Sequence, residues 1–164
     1  MEPLFPVPDF DTGEVQRSLH CCTKCGLTQT YPIPSASEMS QIYNDNYYTS
    51  TKVKFNPVIE AWSRLAGRNR ARKLLARNRD KSSVLNVLDF GCGRGVLLDG
   101  FRAEGHSVLG IERSDSMFDS LPDVSSMSLQ ELITTGRQFD IIVIWHVLEH
   151  LDDPEKTIAE IHQL

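Results

Sequence analysis

The chain has 164 residues, 17 basic against 22 acidic, a formal net charge of −5 at neutral pH and an apolar fraction of 40%. One domain, or a domain with a small appendage, is expected at this length, and the negative charge argues against nucleic acid as the main partner. The longest apolar run, Ile141–Trp145, is far too short to span a bilayer, and the opening MEPLFPVP lacks the basic start and apolar centre of a secretory leader, so a cytoplasmic protein is expected.

Up to about Leu19 the chain is rich in proline and acid with no clear period, which predicts an extended or loosely packed lead-in. Then comes His20-Cys21-Cys22-Thr23-Lys24-Cys25-Gly26. Four cysteines in a reducing compartment point to metal or cofactor neighbours rather than disulfides. Two thiolates spaced as Cys22 and Cys25 can share one tetrahedral ion, and Gly26 lets the turn close around it. No second Cys-x-x-Cys precedes this pair, and neighbouring positions such as His20 and Cys21 rarely face one ion. Cys22 and Cys25 therefore read as half of a zinc site, or as two partly buried thiols. From Asn56 to Arg79 helix formers dominate, with a basic run that includes Arg64, Arg68, Arg70 and Arg72. Val58, Trp62 and Leu65 share one helical face while Ala71 and Leu74 lie well round from it. This predicts a break near Gly67 and a helical cap with a solvated basic face.

Residues 84–95 read VLNVLDFGCGRG, an apolar run ending in Asp89 and followed by Gly91, Gly93 and Gly95. The pattern predicts a buried strand turning sharply into a helix, with a ligand lying against bare backbone at the carboxyl end of the strand. A dinucleotide fingerprint wants Gly-x-Gly-x-x-Gly, and a carboxylate at Asp89 would repel a pyrophosphate. The motif Leu88-Asp89-Phe90-Gly91-Cys92-Gly93-Arg94-Gly95 instead resembles the first motif of the class I S-adenosylmethionine-dependent methyltransferases. That resemblance implies a Rossmann-like fold and an adenosyl sulfonium whose ammonium is met by a carboxylate.

After a helix through Val96, Leu97 and Phe101, a second strand, Ser107–Glu112, ends on an acid about twenty residues past the loop. There a carboxylate can accept both hydroxyls of an adenosine ribose. A short helix over Ser114–Ser120, a third strand at Val124–Met127 and a helix at Leu129–Ile133 ended by Gly136 follow. Phe139–Trp145 reads as a buried parallel strand beside the first, and Asp152 and Pro154 start a last helix over Glu155–Gln163. The close His146-Val147-Leu148-Glu149-His150-Leu151 resembles the fourth-strand motif of metabolite methyltransferases. His146-x-x-Glu149-His150 also spells an inverted zinc-protease motif, disfavoured because it starts at a strand end rather than on a helix.

The resemblance implies a cofactor set of Asp89, Gly91, Cys92, Gly93, Gly95, Glu112, Met127 and His146, with Ser126 and Met127 flanking the adenine. Tyr47 and Tyr48 read either as a lid over the cofactor, with Tyr48 its candidate contact, or as packing within the appendage. By residue type and place His146 is the candidate general base, with Glu149 or His150 orienting it or serving instead. The stretch from Cys22 through Tyr31–Ser35 to Tyr43, Tyr47 and Tyr48 resembles the N-terminal region of a subgroup in which a zinc-ribbon-like segment precedes the catalytic domain and some members methylate sugars or other small metabolites.

The expected fold is thus α/β, a Rossmann-like parallel sheet of strand order 3-2-1-4, incomplete, with helices on both faces and a small N-terminal appendage. Residues 1–55 form the zinc-ribbon-like or lid segment, 56–81 the helical cap and 82–164 the cofactor-binding domain. The fourth strand is an edge, so a longer protein, self-association or the N-terminal segment is expected to cover it. The expected function is methyl transfer to a small-molecule acceptor, with no nucleic-acid or membrane partner. Two other classes stay open, a module that binds S-adenosylmethionine or its demethylated product without turnover, and a nicotinamide-dependent oxidoreductase. The glycine spacing disfavours the latter.

Overall fold

Proline does not keep the first residues out of a sheet. β1 (Glu2–Pro8) pairs antiparallel with β2 (Val15–Cys21), and β2 with β3 (Thr28–Tyr31). The lead-in is extended, as expected, and it is also paired into a sheet. β1 lies at the edge of its sheet, where Pro3, Pro6 and Pro8 need not donate to a further strand, and its register slips at Pro3/Phe5 and Val7/Pro8. The computed structural model describes residues 1–8, 15–35, 38, 57–77, 83–112 and 121–164, and the chain divides into two units, Met1–Thr51 and Lys52–Leu164. Tyr43, Tyr47 and Tyr48 and the expected helix at Ser114–Ser120 lie outside the described residues.

The second unit runs α1 (Pro57–Leu75), β4 (Asn86–Phe90), α2 (Val96–Ala103), β5 (Ser107–Ile111), β6 (Val124–Ser125), α3 (Leu129–Thr134), β7 (Ile141–Ile144), a 3-10 turn (Leu148–His150) and α4 (Pro154–Ile161). Its four strands are parallel in the order β6-β5-β4-β7, which is 3-2-1-4 within this sheet. Period-two alternation sends successive β4 side chains to opposite faces. Val87 joins Leu97, Phe101, Ala71 and Val143 under α1 and α2. Leu88 joins Leu129, Leu132, Ile111 and Leu164 under α3 and α4. Helices therefore cover both faces, and each fully buried side chain such as Phe101 or Leu88 contributes roughly 1.5–3 kcal/mol.

No break interrupts α1 at Gly67; the helix is continuous from Pro57 to Leu75. Gly67 is buried where α1 crosses α2, and a Cβ on Gly100 would lie 2.7 Å from the Gly67 carbonyl oxygen. The change of apolar face marks this crossing: Ala71 is buried, while Val58, Trp62 and Leu65 are exposed. Nor is the basic face simply solvated, because Arg68 and Arg72 both pair with Glu104 just beyond α2, at 2.5 and 3.0 Å. Ser128 caps α3 in a reciprocal capping box with Glu131. Asp153, rather than Asp152, caps α4, accepting from the Lys156 amide ahead of Pro154. The third strand is shorter than the expected Val124–Met127, so Ser126 and Met127 follow it. β7 is the edge strand, and among the described residues nothing pairs its outer side.

Candidate cofactor crevice

β4 delivers Asp89 to the carboxyl end of the sheet, opposite Gly110 on one side and Val143 on the other. The chain then turns through Gly91, Gly93 and Gly95, all at positive φ, into α2. Backbone amides hold this turn against β5: Gly91 and Cys92 donate to the Ile111 carbonyl at 2.8 and 3.1 Å. The two outer glycines are needed by the protein itself. A Cβ at Gly91 would meet Val147 at 2.2 Å and one at Gly95 would meet Leu121 at 3.3 Å. At Gly93 nothing lies within 4 Å, so the middle glycine leaves open space over the backbone.

Arg70, Asp89, Gly91, Cys92, Arg94 and Trp145 line one crevice floored by Val96 and Leu97. Asp89 is almost wholly buried. Desolvation, reinforced by the charge of Glu112 and opposed by that of Arg70, pushes its carboxyl up to about 7. Arg70 lies over the Trp145 ring at 4.3 Å. Sequence reasoning missed Arg70 by assigning the whole basic run to solvent. The usable signal was its place one residue before Ala71 and three after Gly67, on the stripe of α1 that faces the domain. Glu60 on the same helix pairs with Arg94 of the glycine loop at 2.5 Å.

Glu112, buried at the end of β5, accepts a hydrogen bond from the Gly93 amide at 2.8 Å, tying the acid to the loop. The Cys92 thiol turns inward, where its sulfur fills the space a Cβ on Gly110 would need. Burial and the neighbouring carboxylates push the thiol up to about 12, so it acts as packing and not as a nucleophile. Met127 is half-buried against the core cluster under α3 and α4. His146 stands two residues beyond β7 with a left-handed φ of 54° and an exposed side chain, its Nδ1 3.3 Å from the Glu149 carboxylate. His150 closes the following turn. The structure thus gathers Asp89, the glycines, Cys92 and Glu112 at the end of β4, and keeps His146, Glu149 and His150 together after β7.

In the first unit Cys22 and Cys25 flank the turn between β2 and β3. Backbone hydrogen bonds from Cys25 and Lys24 hold the Cys22 thiol below its ordinary value. Among the described residues no group of three or more His, Cys, Asp or Glu side chains converges as a metal site.

A parallel sheet wound on both faces, with a glycine turn and two buried acids at the carboxyl end of its central strands, defines a Rossmann-like nucleotide-cofactor domain. Residues 59–164 match the methyltransferase domain family, and the chain belongs to it. It is 35% identical over 89 residues to a ubiquinone biosynthesis O-methyltransferase of Aromatoleum aromaticum, covering 48% of this chain and 38% of that one. With the enzyme of the same name from Rhizobium etli it is 34% identical over 118 residues, 62% of this chain and 45% of the other. The chain thus spans less than half the length of these curated relatives. A solved SAM dependent methyltransferase from Archaeoglobus fulgidus overlaps 60% of this chain and 44% of its own, at 25% identity and a TM-score of 0.47.

Proposed function

We propose that residues 82–164 bind S-adenosylmethionine in the β4 crevice and, with the helical segment 56–81 as one wall, support methyl transfer to a small-molecule acceptor. Residues 1–55 form a separate appendage in this reading, and the cytoplasm is its place of action. The pairing of a buried acid with a cation beside open backbone carries the proposal. A methionine end bears one ammonium and one carboxylate, and Asp89 and Arg70 present the complementary charges in the same crevice. Glu112 stands one strand over, where it suits ribose hydroxyls, and Met127 follows β6 on the side proposed for the adenine.

The bound cofactor supplies a methyl group on a positively charged sulfur, open to in-line attack. The protein's task is then to orient the acceptor and exclude water. Trp145 lines the crevice after β7 and His146 follows it in the chain; His146 is proposed to take the acceptor's proton, with Glu149 orienting the ring through the 3.3 Å contact. The strained backbone at His146 points the same way, since left-handed non-glycine residues cluster at functional sites. The printed names of the relatives, O-methyltransferases, favour a hydroxyl acceptor.

Calorimetry with S-adenosylhomocysteine tests the binding step, with NAD as the control. Binding of the first and not the second is expected, and the reverse would overturn the assignment. Gly93→Ala places a methyl in the open space and is expected to weaken that binding about tenfold or more, while the left-handed conformation costs roughly 1–2 kcal/mol of stability. For the chemical step, His146→Asn is the informative variant because asparagine tolerates the φ of 54°. Turnover of a phenolic or sugar hydroxyl acceptor should fall about 100-fold or more with cofactor affinity unchanged. Unchanged turnover would remove His146 as the base.

A further inference from the structure

Around the crevice most arginines spend their N–H groups on carboxylates. Arg68 and Arg72 pair with Glu104, Arg94 with Glu60, and Arg102 with Asp99 and Asp123. Arg70, on the same helix as the first two, differs. Among the described residues it forms no ion pair, and its guanidinium lies over the Trp145 ring, 4.3 Å from the centroid. A guanidinium resting on an aromatic ring is held through its own flat face, while its N–H donors lie in the plane and stay open to an acceptor. Arg70 is thus anchored with its hydrogen-bonding edge unspent.

Trp145 is itself set from a second side. It follows directly on β7, and neighbouring His146, in its left-handed conformation, meets the indole edge-on at 5.2 Å and 88°. Half of the Trp145 surface is exposed, so a leucine would lose little core packing at this place. What the ring adds is its π face, which fixes the position of Arg70. Arg70, Trp145 and Asp89 line one crevice, and the charge of Arg70 reaches the Asp89 carboxyl.

We propose that Trp145 is a positioning residue that holds Arg70 ready for the carboxylate of the bound ligand, and so makes the crevice selective for ligands that carry an amino-acid end. This rests on the reading of Arg70 as the partner of that carboxylate. Arginine has one of the most flexible side chains, and ordering it before the ligand arrives removes that entropy loss from the binding step.

The test is calorimetry on the full chain with S-adenosylmethionine and with its decarboxylated form, which keeps the sulfonium and the ammonium and lacks the carboxylate. Trp145→Leu is expected to weaken S-adenosylmethionine binding about 3- to 10-fold and to leave binding of the decarboxylated ligand unchanged. Trp145→Phe, which restores an aromatic face, should recover most of the loss. Arg70→Met should weaken S-adenosylmethionine about tenfold or more, and adding Trp145→Leu to it should cost nothing further, because the two residues act through one contact. Equal losses for both ligands, additive losses in the double variant, or full affinity in Trp145→Leu would each overturn the role of Trp145 while leaving the crevice reading intact. Failure of the unmodified chain to bind S-adenosylmethionine would overturn that reading and this inference together. The double-variant comparison uses S-adenosylmethionine alone, so the outcome stands even where the decarboxylated ligand binds weakly.

Discussion

Asp89→Asn is expected to make the ligand-free protein more stable above neutral pH while removing its affinity for S-adenosylhomocysteine. In the folded chain burial and Glu112 hold the Asp89 carboxyl near 7, whereas in the unfolded chain it titrates near 4. Below about 4 both states carry the proton and Asp89 costs nothing. As pH rises from 4 to 7 the unfolded chain releases its proton first, so stability falls, and above 7 the loss is complete. The full loss corresponds to roughly 4 kcal/mol, and asparagine, which carries no charge, escapes it. Thermal melts at pH 8 should therefore show the variant higher, and melts at pH 4 should show no gain. The affinity moves the other way. Without the carboxylate the ligand ammonium loses a charge-assisted partner, a drop of roughly 10- to 100-fold by calorimetry. For the same reason the wild-type chain should bind less tightly as pH falls below about 7, where Asp89 takes up a proton. A variant destabilised at pH 8 would show that the carboxyl is satisfied by the protein rather than held for a ligand.

Gly100→Ala should destabilise the domain by about 1 kcal/mol or more even though alanine is the better helix former. The added Cβ would sit 2.7 Å from the Gly67 carbonyl oxygen and 2.8 Å from its carbon, both backbone atoms that cannot rotate away. Forcing two helices apart in a filled interface costs about 1–3 kcal/mol or more, against roughly 1 kcal/mol gained in helix propensity. Gly67→Ala meets the same limit from the other side, 2.4 Å from the Val96 carbonyl oxygen. In either variant α1 must move away from the glycine loop, taking Arg70 from Trp145 and Glu60 from Arg94, so affinity for S-adenosylhomocysteine should fall together with the melting temperature. An unchanged or raised melting temperature in Gly100→Ala would mean that the crossing is looser than 2.7 Å implies.

The strands and the glycine turn were legible because the information is local, and the order of the sheet came with the family resemblance those stretches carry. An apolar run closed by Asp89, three glycines at alternate positions, and an acid at the end of the next strand each follow from one stretch of chain. The continuity of α1 and the work of its arginines were not. The shift of apolar residues from Val58, Trp62 and Leu65 to Ala71 and Leu74 reads as a break when only periodicity is counted. It is in fact the trace of a second helix that α1 meets at Gly67 and Gly100. The first strands escaped notice because their alternation is weak and interrupted by proline, which an edge position permits.

From the order of residues alone came the kind of strand, turn and acid that suits a nucleotide cofactor, since backbone conformation and side-chain charge are properties of short segments. Only the folded chain decided that Arg70, nineteen positions before Asp89, lines the same crevice, and that α1 meets α2 at Gly67 and Gly100. Those outcomes depend on which elements meet in space, and packing between distant segments sets that rather than anything either segment carries alone.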